Sequence, residues 1–264
     1  MRLIRLFLLN FQEAFAERGR SFVWFLIALF NPLIMCAYWI GANNAATISL
    51  GWDQSAFIAY YVLLVTAQSL LIVHIDENIA NADIKLGFMT ARLLQPYSYF
   101  WRKLVAELPW RLLQGGFGVC VYGIFWLVIG DSMNIQLSGI QGSMAVCVIV
   151  SAFMLSFVLK MIVGITAFWT TEYQGFRELV EVISIVFSGI IMPLTLLPQA
   201  IQHIAYTLPF AYIIYYPILA IQGKLLTSDF FHVLMIQWIW IVVLSIIYRF
   251  MWKKGVLLYT AFGQ

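Results

Sequence analysis

Apolar residues run along the chain in long stretches, separated by short clusters of polar and charged side chains. A membrane-spanning helix needs about 20 predominantly apolar residues. Stretches of that length fall at about 21–40, 55–75, 104–130, 143–169, 179–197 and 231–252, which predicts six transmembrane helices. The connections at 41–54, 76–103, 131–142 and 170–178 are polar or charged. Ahead of the first span, Leu3, Ile4, Phe7, Leu8, Phe11, Ala14 and Phe15 recur at helical spacing on one face, opposite Arg2, Arg5, Asn10, Gln12, Glu13, Glu17 and Arg20. That pattern predicts an amphipathic helix over 1–20 lying in the membrane interface. A secretory leader is the competing reading of the same residues, but Asn10, Gln12 and Glu13 interrupt its apolar stretch.

One region is ambiguous. Residues 204–221 are apolar enough for a seventh span, yet charge placement argues against it. With six spans, Arg2, Arg5, Arg18, Arg20, Lys85, Arg92, Arg102, Lys103, Arg177, Arg249, Lys253 and Lys254 share one side, and only Lys224 lies on the other. Basic residues mark the cytoplasmic side, so both termini are expected there. The segment 198–224 then reads as a dip into the outer leaflet, broken by Pro198, Pro209 and Pro217, with Tyr206, Tyr212, Tyr215 and Tyr216 as interfacial anchors. Non-helical backbone at that depth must be buried in protein or line a cavity.

Composition agrees with a membrane domain that occupies all 264 residues: 63% are hydrophobic and 10% charged, against about 25% charged in soluble domains. A net charge of +3 is too small and scattered for nucleic-acid binding. Cys36, Cys120 and Cys147 lie inside apolar runs and read as packed hydrophobes. The chain has no G-x-x-x-x-G-K-[ST] phosphate loop, and Gly115-Gly116-Phe117-Gly118 has no lysine to meet a phosphate. His74-Ile75-Asp76-Glu77 offers metal-ligand types, but neighbours on a helix point in different directions, so the cluster reads as a solvated helix start. No serine sits in a nucleophile elbow.

The informative polar positions lie elsewhere. Between the second and third spans, Ile75, Ile79, Ala82, Leu86, Met89 and Leu93 form one apolar helical stripe bordered by Asp76, Glu77, Asp83, Lys85 and Arg92. Such a helix suits either a cytoplasmic partner or the lipid surface. Lys103, Glu107 and Arg111, four residues apart around Pro109, can form a charge ladder that closes a gate, or Arg111 can snorkel to the interface. Lys160 lies twelve residues before Glu172, about 18 Å along an ideal helix. An unpaired ammonium at that depth costs about 2.5–3.5 kcal/mol, so either a water-filled cavity, Glu178 or Glu181 compensates it, in a functional or subunit-contact role, or a kinked or displaced helix lets it snorkel. Gly115, Gly116, Gly118, Gly123 and Gly164 would allow close helix approach.

In this order, the elements resemble the permease subunit of type-2 ATP-binding-cassette exporters, along nearly the whole chain. The patterns that carry the resemblance are Ile84-Lys85-Leu86-Gly87, Leu93-Leu94-Gln95-Pro96, Phe168-Trp169 with Glu172, Ser188-Gly189, Pro193-Leu194, Leu197-Pro198, Leu208-Pro209-Phe210, Tyr216-Pro217 and Gly223. They are closest to a poorly characterised bacterial branch. The resemblance implies a re-entrant hairpin through Pro193, Pro198, Pro209 and Pro217, and a coupling region over 76–95 seated in a groove of an ATPase. Its contact residues would be Asp83, Ile84, Lys85, Leu86, Gly87, Met89 and Arg92. Lys85 stands where the family often has arginine, keeping the charge and losing the bidentate fork. Also implied are two ATPase subunits holding ATP and Mg2+, a second permease chain that favours a heterodimer, and a bacterial inner membrane. No cofactor is expected on this chain itself. Such permeases export drugs, polysaccharides, lipids or peptides; the aromatic content suits a hydrophobic or amphipathic cargo and suits lipid contact equally. Two other classes compete: an ion-coupled carrier or channel built on Lys160 and Glu107/Arg111, and a membrane enzyme or assembly factor.

Overall fold

The computed structural model describes residues 2–42, 47–48, 50–130, 138–170 and 172–259, and these are helical with no strands. The expected loops at 41–54 and 131–142 fall partly outside the described residues, as do the side chains of Arg2 and Leu3. The helices are α1 (Arg2–Ala16), α2 (Arg18–Gly41), α3 (Gln54–Leu71), α4 (Ile75–Glu77), α5 (Met89–Leu93), α6 (Tyr99–Ile129), α7 (Gly139–Ile165), α8 (Tyr173–Phe187), α9 (Gln199–Thr207), α10 (Tyr215–Ile221) and α11 (Thr227–Leu258). Between α4 and α5 lies a π-helix, Asn78–Lys85.

Among the described residues five helical runs are long and apolar enough to cross a membrane: α2, the run from α3 to Lys85, α6, α7 and α11. α3 and α7 are the two most buried of the long helices; α6 and α2 pack on α3, α11 packs on α7, and α1 lies against α6. On α1 the rings of Phe7, Phe11 and Phe15 line one face. α1 gives way to α2 at Glu17, so the expected boundary at 20 moves back by one helical turn.

The expected fifth span, 179–197, differs. α8 starts earlier, at Tyr173, and has 15 residues, about 22 Å against a hydrocarbon core of about 30 Å. It stops because Gly189 turns the chain at φ +89, and a Cβ there would stand 2.6 Å from the Tyr60 hydroxyl. Only glycine fits. The irregular backbone that follows is satisfied by side chains of the core helices: Tyr60 donates to the Gly189 carbonyl at 2.7 Å, and Tyr61 and Trp39 donate to the Ile191 carbonyl at 2.6 and 3.0 Å. Gln202 Nε2 donates to the Thr195 and Leu197 carbonyls at 3.1 and 2.6 Å.

Two short helices, α9 and α10, flank a buried bend at 208–214. Pro198 precedes α9, Pro209 opens the bend and Pro217 occupies the first turn of α10, where a missing N–H costs nothing. Gln237 on α11 is buried and donates to the Tyr212 and Val148 carbonyls at 2.9 and 3.2 Å, tying the bend to α7. The four tyrosines expected at the interface instead pack on one another: Tyr212 and Tyr215 are buried, and the Tyr212 and Tyr216 rings stack at 4.7 Å. A bend inside protein needs apolar walls more than surface anchors.

Three of the five small positions serve close packing. A Cβ added to Gly115, Gly118 or Gly164 would come within 3.0 Å of Leu70, Thr66 or Ile79, whereas Gly116 and Gly123 face open space. Gly164→Val is therefore expected to destabilise by about 1–3 kcal/mol through overpacking, and Gly123→Val by much less. Thermal unfolding of the detergent-solubilised variants measures the difference, and equal losses would contradict the packing assignment.

Candidate functional site

The polar chemistry concentrates where α3 breaks. Ile72 is extended, so the helix ends at Leu71, four residues before the second span was expected to end. Its last carbonyls need donors, and Arg111 on α6 supplies them, donating Nη1 to the Ile72 carbonyl at 2.6 Å and toward Ser69 at 3.4 Å. Arg111 Nε pairs with Glu107 at 2.8 Å one turn away, and Glu107 also accepts from the His74 backbone N–H. Both side chains are buried, so the snorkelling reading of Arg111 fails; the cation caps a helix C-terminus, where a positive charge is favoured. The ladder is split as well, because Lys103 turns to a different carboxylate.

That carboxylate is Asp83, fully buried at 0% exposure. Lys103 Nζ and the Tyr99 hydroxyl each stand 2.6 Å from its Oδ2, and Arg92 Nε stands 3.5 Å from Oδ1. Lys103 also donates to Asn78 Oδ1 at 2.5 Å. The π-helix makes this possible. Residues five apart are about 140° out of register on an α-helix, but the i→i+5 bonding of a π-helix brings them onto one face. Asn78 and Asp83 therefore reach one ammonium, and Ile79 and Ile84 are buried together. Trp252 of α11 stacks on Tyr99 at 4.6 Å.

The wider turn also rewrites the expected apolar stripe. Ile75, Ile79, Ile84 and Met89 point inward, while Leu86 is 69% exposed and Leu93 42% exposed. Gly87, at φ +82, turns the chain between them. Phe88 and Leu94 join the exposed set at 54% and 83%. Of the expected contact residues, Asp83, Ile84 and Met89 thus face the protein, Arg92 is half-buried on Asp83, Lys85 lies over the Tyr173 ring at 5.6 Å, and Leu86 with Gly87 forms the outer edge.

Asp76 is the second buried carboxylate of the segment, 1% exposed, which corrects its reading as a solvated helix start. Lys160 Nζ lies 3.7 Å and Arg177 Nε 3.2 Å from its Oδ2. Lys160 therefore finds Asp76 rather than Glu178, and Glu181 meets Arg177 instead, at 3.7 Å. The lysine also lies nearer a helix end than the ideal-helix count allowed, because α7 stops at Ile165. Glu172 is exposed beyond that end, outside the network. Among the described residues no group of three metal-ligating side chains is found.

The segment after α3 is thus fixed inside by charge and shows leucines outside. Comparison with protein families decides the class: the model for the ABC-2 family transporter protein matches residues 23–263. The chain belongs to this family. It is a multi-pass membrane protein of the permease type, and such ABC-2 permeases generally work with ABC ATPase partners. Comparisons with curated proteins and with solved structures return no match.

Sequence reasoning missed Asp76, Arg177, Tyr99 and Gln237 as structural polar residues of this ABC-2 permease. The signal for Asp76 was its place between Ile75 and Ile79, since a carboxylate bordered by apolar positions needs a cation. Removing Asp83 leaves two cations, one of them buried, without their carboxylate, so Asp83→Ala should destabilise by about 3–5 kcal/mol. Tyr99→Phe, which removes one charge-assisted bond, should cost about 1.5–3 kcal/mol. Thermal unfolding in detergent measures both; a loss for Asp83→Ala no larger than that for Tyr99→Phe would contradict the clamp.

Proposed function

We propose that the chain is the membrane subunit of an ATP-driven exporter of a hydrophobic or amphipathic substrate, in a bacterial inner membrane with both termini cytoplasmic. Two ATPase subunits carrying ATP and Mg2+ would drive it, and a second, different permease chain would complete the pathway. The observation that carries this reading is the two-sided character of residues 75–94. Their inner side is clamped by buried ion pairs to α6, α7 and α8, and their outer edge exposes Leu86, Phe88, Leu93 and Leu94 beside Lys85 and Arg92. Exposed apolar side chains ringed by charge fit a protein groove, because a helix-in-groove contact needs apolar anchors and a polar rim. A rigid inner attachment is what transmission of a partner's movement requires.

The six-span topology belongs to the same proposal. α8 with the hydrogen-bonded irregular backbone to Pro198 serves as the fifth crossing, and α9, the bend and α10 serve as the re-entrant hairpin before α11. This arrangement keeps the basic residues on one side. An ion-coupled carrier based on Lys160 and Glu107/Arg111 gains less support, since those three residues are engaged in ion pairs and a helix cap.

Gentle-detergent purification from the native membrane, with mass spectrometry of what co-purifies, tests the reading. A stoichiometric ATPase with a phosphate-binding loop is expected. The double variant Leu86→Asp/Leu94→Asp should reduce its recovery about tenfold or more, the effect of losing anchor residues from an interface, with the permease still inserted. Recovery of the wild-type chain without an ATPase, under cross-linking as well, would favour the ion-coupled reading.

A further inference from the structure

Four charges meet where the start of this segment touches α7 and α8: Asp76, Lys160, Arg177 and Glu181. Lys160 and Arg177 both approach one oxygen, Asp76 Oδ2, at 3.7 and 3.2 Å, and neither Oδ2 nor Arg177 Nε has a well-directed hydrogen bond. Arg177 at the same time directs Nη2 to Glu181 at 3.7 Å. The quartet sums to zero charge. It also divides into two neutral pairs, Asp76 with Lys160 and Arg177 with Glu181. Arg177 can therefore leave Asp76 without stranding a buried charge, which is what makes breaking most buried pairs costly.

The Asp83 cluster has no such freedom. There one carboxylate holds two cations, with contacts of 2.6 Å from Lys103 and Tyr99, and among the described residues no second carboxylate forms an ion pair with Lys103 or Arg92. Nor is α8 held firmly by packing: Tyr173 is its one fully buried residue, against Ala80 and Val163. The segment thus packs on α7, is held to α6 by the close Asp83 contacts, and meets α8 through Tyr173 and the divisible quartet.

We propose that Asp76 is the releasable half of a latch. In the closed arrangement Arg177 bridges Asp76 and Glu181 and holds α8 to the coupling segment; in the open arrangement Arg177 pairs with Glu181 alone, Lys160 keeps Asp76 neutralised, and α8 moves independently of the segment. The proposal rests on the reading of residues 75–94 as the driven element, and it assigns to Arg177 and Glu181 the choice of when α8 follows it.

Double electron–electron resonance on the full chain in lipid nanodiscs tests the latch. Labels go at Ala91→Cys on α5 and Glu178→Cys on α8, both exposed and outside the quartet, with Cys36, Cys120 and Cys147 replaced by alanine. Two distance populations are expected. Glu181→Gln removes the receiver of Arg177 and should shift the ratio about five-fold toward the short distance, the low end of measured couplings between sites; Asp76→Asn should shift it toward the long one. Glu181 is 44% exposed, so its variant folds even if Asp76→Asn does not. One unchanged distance in wild type and Glu181→Gln overturns the latch. Because ATPase association is measured separately by co-purification, a static distance beside a bound ATPase refutes the latch alone and leaves the permease reading in place.

Discussion

A carboxylate withdrawn from water must be given a cation and donors, and the arrangement of residues 75–94 in this permease depends on that requirement being met at Asp83. Its fully buried side chain gathers Lys103 and Tyr99 from α6 and Arg92 from the far end of its own segment. Without these contacts nothing comparable would hold the π-helix against α6. The same requirement recurs at Asp76 and at Glu107, so three carboxylates fix the end of α3 and the segment beyond it. Apolar packing positions the helices, and the ion pairs decide how the chain leaves them.

The broken backbone on the other side of the fold is handled by a different device. Tyr60, Tyr61, Trp39, Gln202 and Gln237 donate to carbonyls that no helix satisfies. Each unsatisfied carbonyl in an apolar setting is costly, and neutral donors satisfy it without adding a charge. This explains why aromatic and amide side chains, rather than basic ones, cluster along 188–214, while basic residues gather about residues 75–94.

Much of the fold was legible in the sequence because apolar run length reports directly on helices long enough to span. The runs at 21–40, 55–75, 104–130, 143–169 and 231–252 became α2, α3, α6, α7 and α11 within a few residues, and the prolines marked the irregular segment correctly. What was hidden depended on local winding. A 3.6-residue period put Leu86 and Leu93 on the same face as Ile79, whereas the π-helix and Gly87 turn them outward. Partner choice was hidden for the same reason: Lys160 meets Asp76, distant in sequence, through helix packing that no spacing rule encodes. The stop of α8 at Gly189 was also unreadable, since it follows from a Tyr60 hydroxyl contributed by another helix.

The most direct test of the account places a photo-crosslinking amino acid at Phe88, on the exposed edge of the segment, and at Ile4 on α1 as a lipid-facing comparison, followed by irradiation in native membranes. The account requires an ATPase with a phosphate-binding loop to be captured from position 88 and not from position 4. Capture of lipid alone at both positions, with wild-type transport intact, would contradict the assignment of residues 75–94 as the coupling element.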